Sequence, residues 1–255
     1  VAERFRSSGT RYAGLDALRG LAMVWMTGFH LCYDLAYFGW WQQDFLRDPF
    51  WTWQRTAIVS LFLLCVGLGQ TLARQQSVSR ARFARRWAQI AGCALLVSAG
   101  SYLMFPRSFI HFGVLHGVAV MLLVARATAG WRSRWLWLAG AVALALPWLA
   151  GLLLNGPLAH SAPAWNGRAL NWLGLITRKP FTEDYVPVFP WLGVVWWGMA
   201  LGRWLLQRPS QSPLAGTALG VSAPLAWLGR HSLGYYMLHQ PVMIGVLWLW
   251  SSTVR

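Results

Sequence analysis

The stretch GLDALRGLAMVWMTGFHLCYDL, Gly14 to Leu35, decides the fold. A mostly apolar run of this length matches the roughly 20 residues that a helix needs to cross the hydrocarbon core of a bilayer. Yet it carries Asp16, Arg19, His30 and Asp34. Ionisable groups at membrane depth are costly enough that function or a buried partner is the default inference.

The rest of the chain agrees with lipid as the solvent. Of its 255 residues 56% are hydrophobic and only 11% charged, and the mean hydropathy is +0.41, which excludes an ordinary soluble domain. The 19 Trp suit the membrane–water boundary, where an indole keeps one edge wet. Cys32, Cys65 and Cys93 lie inside apolar runs without metal-ligand spacing, so they read as buried free thiols and no metal is expected. The basic start is followed by an apolar run too long for a signal peptide, so the first helix is expected to stay attached.

Long apolar segments predict an all-α fold: a polytopic transmembrane helix bundle of about seven spans, with six to eight as the range. They run approximately from Leu15 to Trp40, Trp51 to Leu72, Trp87 to Met104, Ile110 to Val124, Trp135 to Leu154, Phe189 to Leu206 and Leu225 to Trp250. One domain, 1–255, accounts for the chain. Gly67 and Gly69 in VGLGQ follow no strand, so they read as close helix packing and not as a dinucleotide fingerprint.

A formal charge of +15 would point to nucleic acid in a soluble protein. Here the arginines fall mostly in short segments between spans. Arg4, Arg6, Arg11, Arg74, Arg80, Arg82, Arg85, Arg86, Arg126, Arg132, Arg134, Arg203, Arg208 and Arg230 fall on one side. Only Arg47, Arg55, Arg107, Arg168, Arg178, Lys179 and Arg255 fall on the other. The twofold excess reads as topogenic, with a cytoplasmic N-terminus and no nucleic-acid partner. The one long connection, 155–188, is then an outward loop, rich in Pro and Gly, that serves as a spacer or as a lid over a substrate site.

Helical geometry sharpens the chemistry of the first span. Arg19 and His30 are eleven residues apart, which returns to nearly the same face about 16 Å along the axis. His30 and Asp34 are one turn apart, so the carboxylate is placed to orient the imidazole as a general base. The alternative is a polar pair that glues helices together. His111 and His116, about 140° apart on one predicted helix, do not share a metal from that helix alone. His239 precedes Pro241, which kinks its span, so it reads as a kink partner or a lining residue of a channel.

LDALRGLA followed by an apolar stretch and FH resembles the opening of transmembrane acyltransferases, and of the heparan-α-glucosaminide N-acetyltransferase catalytic-domain family, bacterial members, in particular. The similarity continues through SLFLLCVGLGQ (Ser60 to Gln70), FGVLHG (Phe112 to Gly117) and LGRHSLGYYMLHQP (Leu228 to Pro241). The resemblance implies an acyltransferase taking an acetyl or short acyl group from acetyl-CoA to a hydroxyl or amine of a carbohydrate or envelope glycan. It also implies integral membrane localisation, in the bacterial inner membrane. His30 and Asp34 are then the catalytic pair. Arg19, Arg82, Arg85, Arg86, His116 and His239 hold the acyl-CoA, membrane lipid surrounds the chain, and a homo-oligomer is compatible with this reading. One departure stands out: the heparan enzymes carry an Asn at the matching place and a catalytic His in the following loop, whereas Trp41 to Phe50 contains no His. The enzymatic expectation therefore rests on His30 having taken over that duty. The competing expectation is a transporter for protons or a polar solute that uses the same intramembrane His and Asp groups.

Overall fold

The computed structural model describes residues 12–207 and 223–253. Arg4, Arg6, Arg11, Arg208 and Arg255, which enter the charge argument, lie outside these residues. Among the described residues the chain is helical: α1 (Ala13–Tyr37), α2 (Pro49–Gln75), α3 (Arg80–Met104), α4 (Val114–Ala127), α5 (Ser133–Leu154), α6 (Ala162–Asn166), α7 (Val188–Leu206), α8 (Ala223–Arg230) and α9 (Ser232–Thr253). Helices α2, α3 and α5 are long and apolar enough to cross a membrane.

Local chemistry sets the helix starts. Asp48 accepts the Phe50 N–H at 2.8 Å with Pro49 at the first helical position of α2, and Ser79 accepts the Arg82 N–H at 3.3 Å to begin α3. Each cap satisfies a donor that the first turn leaves without a partner.

Two expected spans are corrected. The last, Leu225 to Trp250, is broken into α8 and α9, because the His231 N–H turns back to the Leu228 carbonyl at 3.1 Å and closes α8. Helix α8 then crosses α1 at glycine contacts: a side chain at Gly20 would collide with the Leu225 carbonyl, and one at Gly229 with the Asp16 carbonyl. The fourth begins at Val114, so His111 lies in the preceding loop and not on the helix face assigned to it.

The main core joins α2, α4, α5 and α7 through Leu63, Met121, Leu136, Val195 and Met199, all essentially without exposure. Gly67 and Gly198 let α2 and α7 approach backbone to backbone, since a Cβ at Gly198 would stand 2.5 Å from the Leu64 carbonyl oxygen. Large apolar side chains such as Leu95 and Leu103 of α3, Trp148 of α5 and Val246 of α9 point outward. Outward apolar faces of this kind suit a membrane surrounding and not water. Helix α9 is largely apolar, yet its one buried residue is His239.

Candidate active site

Helices α1 and α9 bring together two histidines from opposite ends of the sequence. His30 Nδ1 lies 2.9 Å from His239 Nε2, with the rings nearly parallel at 14°. His239 Nδ1 lies 2.7 Å from the Tyr236 carbonyl oxygen, which can only accept. In the neutral pair His239 therefore carries its proton on Nδ1 and accepts at Nε2 from His30 Nδ1–H. The same logic leaves a lone pair on His30 Nε2, the nitrogen a base requires. Pro241 has no N–H to close on the Met237 carbonyl, which loosens the turn that carries His239 and Gln240.

The hydrogen bond expected between His30 and Asp34 is not formed. Asp34, 3% exposed, accepts from Gln240 Nε2 at 2.8 Å through Oδ1. The helix register that puts the two residues one turn apart aims both at α9, where each meets its own partner. Asp34 Oδ2 and Gln240 Oε1 are buried without a hydrogen-bond partner, and the Gln240 amide also neighbours the His30 ring. Gln240 escaped the sequence reading. Its only signal was its place beside His239 in HQP.

Below the pair, Thr27 Oγ1 donates to the Met23 carbonyl at 2.8 Å and lies 2.6 Å from Tyr235 OH, so Tyr235 is the donor between them. The Tyr235 ring stacks on His239 at 5.8 Å and 11°. This second ring contact helps to orient the α9 imidazole.

Arg19 stands near the other end of α1, 3.6 Å from Asp16 Oδ1, with Nη2 3.5 Å from the Cys65 carbonyl oxygen. It occupies space left by Gly69, whose missing Cβ would be 2.7 Å from Nη2. Arg86 of α3 lies within electrostatic reach of Arg19, while Arg82 and Arg85 are exposed beside it on the first turns of α3. His116 does not join this group. Its Nδ1 accepts from the Gly113 N–H at 3.3 Å and its Nε2 donates to Ser98 Oγ at 3.0 Å, because the Ser98 proton goes to the Ile110 carbonyl. One nitrogen thus helps start α4 and the other ties α4 to α3.

The 155–188 connection folds back over one end of the histidine pair. Glu183 accepts from Ser108 Oγ at 2.6 Å and from Tyr33 OH at 3.4 Å, one residue from Asp34. Asp184 reaches the start of α4 and accepts the Val114 N–H at 2.7 Å. Burial pushes the Asp184 carboxyl up from its ordinary range, an effect offset in part by that N–H and by the charges of Lys179 and Arg55. Burial and Arg55 push the Lys179 amine down. His111 lies at the same end, 3.4 Å from the buried Asn171 amide oxygen, whose backbone carbonyl accepts from Tyr185 OH at 2.6 Å. Among the described residues no group of three or more His, Cys, Asp or Glu side chains is placed to hold a metal ion.

Residues 11–241 match the family model described as heparan-alpha-glucosaminide N-acetyltransferase, catalytic. No curated protein and no solved structure matches the chain significantly.

Proposed function

Because the chain belongs to the heparan-alpha-glucosaminide N-acetyltransferase catalytic family, we propose that this membrane acetyltransferase moves an acetyl group from acetyl-CoA to an amine of a glycan, with His30 as general base. The observation that carries the reading is the chain of hydrogen bonds from His30 through His239 to the Tyr236 carbonyl, which leaves His30 Nε2 as an open lone pair.

Two further acceptors share that neighbourhood, Asp34 Oδ2 and Gln240 Oε1. Three acceptors fit the three N–H donors of an ammonium group better than the single O–H of a hydroxyl. Acetyl-CoA supplies the activated thioester carbonyl. Asp34 and Gln240 position the amine, which gives one proton of its ammonium form to bulk water before attack and so attacks as the neutral base. His30 Nε2 takes a second as the C–N bond forms and the C–S bond breaks, then returns it to the departing thiolate. His239 holds the His30 ring in the productive tautomer and shares the positive charge that develops. Arg19 and Arg86 hold the donor's phosphates. The axial distance from Arg19 to His30, about 16 Å, is of the order of an extended pantetheine arm. The loop residues Glu183 and Asp184 close the acceptor end.

The deciding experiment is acetyl transfer by H30A protein in nanodiscs, with radiolabelled acetyl-CoA and a glucosamine-terminated acceptor. Loss of a general base lowers the rate by about 10²–10⁴-fold. Undiminished transfer in H30A would remove His30 from the mechanism, and proton or solute flux through wild-type liposomes without transfer would favour a transporter.

A further inference from the structure

A polar cavity lies at the arginine-rich end of the bundle, away from the histidines. It measures about 250 Å³ between the C-terminus of α2, the N-terminus of α3 and the turn after α4, and is lined by Ala73, Arg74, Ser77, Val78, Arg80, Arg126 and Ala129. Three of these seven residues are arginines and none is acidic. Arg126 donates to the Val78 carbonyl at 2.9 Å. Arg203 donates to the Ala129 carbonyl at 2.9 Å and to that of Trp131, and so holds the turn that forms one wall. Arg74 lies within electrostatic reach of Arg203. The cavity therefore gathers like charges around a space, beside the positive end of α3.

The acids among the described residues do not answer this charge. Asp34, Glu183 and Asp184 belong to the histidine end, Asp44 and Asp48 cap the loop before α2, and Asp16 faces Arg19. Arg74 follows Cys65 by nine residues, about two and a half helical turns, so it leaves α2 on the face opposite Arg19 and does not share that wall. The surroundings identify the depth. Trp131 and Trp135 are 43% and 49% exposed beside the cavity, and Arg134 lies 5.3 Å over the Trp135 ring. Exposed indoles of this kind sit at the level of lipid head groups.

We propose that this cavity is a binding site for the phosphate of an anionic phospholipid head group, separate from acetyl transfer. Arg74 and Arg80 supply the charge, while Arg126 and Arg203 hold the walls. Basic pockets between membrane helices take phosphodiesters in this way.

The test is native mass spectrometry of the purified full chain titrated with phosphatidylglycerol, phosphatidylcholine, inorganic phosphate or acetyl-CoA. Wild type is expected to retain phosphatidylglycerol over phosphatidylcholine, and Arg74→Gln/Arg80→Gln to bind it about thirtyfold more weakly, as two head-group-level arginines imply. Arg132→Gln/Arg134→Gln, which removes the same charge outside the cavity, is expected to bind as wild type. If the first double variant does not fold, Arg80→Gln alone, at the exposed start of α3, is expected to weaken binding about fivefold. Equal phosphatidylglycerol binding in all variants would overturn the proposal. So would equal losses at both arginine pairs. Displacement by equimolar inorganic phosphate would make it a free-anion site, and loss of acetyl-CoA with lipid binding intact would make it part of the donor site.

Discussion

His239 Nε2 faces His30 Nδ1 at 2.9 Å, and its own Nδ1 is tied to a carbonyl oxygen that cannot donate. The direction of both hydrogen bonds follows from that one carbonyl. An imidazole thus fills the place in which a carboxylate usually orients a base. Removing it predicts a specific loss: H239A should lower kcat about 10–100-fold, as for other groups that orient a functional histidine, with the acetyl-CoA KM little changed. H239Q offers Oε1 as an acceptor to His30 Nδ1–H and should recover part of the loss. Steady-state kinetics of the two variants checks this; equal activity in H239A and H239Q would show that the hydrogen bond has no role.

Gln240 Nε2 holds Asp34 Oδ1 at 2.8 Å while Asp34 Oδ2 and Gln240 Oε1 remain unpaired. Q240L strands both carboxylate oxygens in a buried site, which costs about 1–3 kcal/mol. Thermal unfolding in detergent should fall accordingly. D34N removes the charge at nearly constant shape. Its acceptor KM should rise at least tenfold while that for acetyl-CoA stays near wild type, and an unchanged acceptor KM would remove Asp34 from the acceptor pocket.

The sequence made the helices legible because their signal is local: long apolar runs, with Gly67 marking the close approach that α2 makes to α7. Arg19 and His30 were legible for the same reason, as costly side chains on one apolar helix. The partners were not. Periodicity along α1 offers Asp34 as the neighbour of His30, whereas the α9 register, 209 positions away, supplies His239 to one and Gln240 to the other. The break at His231 was equally hidden, because an apolar run does not report where a helix must stop to cross another at Gly20. The partners of His116 were hidden in the same way: Gly113 before α4 meets one nitrogen, and Ser98 of α3, 18 positions back, meets the other.

The 155–188 connection has a pH dependence of definite sign. Burial raises the Asp184 carboxyl above its ordinary value, so the folded chain holds that proton more tightly than the unfolded one. The stability this group contributes is full below the unfolded value of 3.8 and is lost as pH rises through the raised folded value. D184N keeps an oxygen for the Val114 N–H without the charge. At neutral pH it should be at least as stable as wild type, and the gap should close as pH falls toward 4, the ordinary carboxylate range. Melting temperatures of both proteins across that range test the sign; a gap that widens on acidification would reverse it.

Gly69 separates donor binding from folding. A methyl group there would stand 2.7 Å from Arg19 Nη2, its nearest contact, and the other atom within reach, Arg19 Cζ, is 3.9 Å away. What must yield is the far end of a flexible side chain and not backbone. G69A should therefore fold and melt as wild type, or slightly higher, since Ala favours a helix over Gly by about 1 kcal/mol. The displaced guanidinium can no longer sit between the Cys65 carbonyl and Asp16. If Arg19 holds the donor's phosphates, the acetyl-CoA KM should rise about tenfold, the effect of one charge-assisted contact, and kcat at saturating donor should be preserved. A normal KM in G69A, together with a normal KM in Arg19→Gln, would place the phosphates elsewhere.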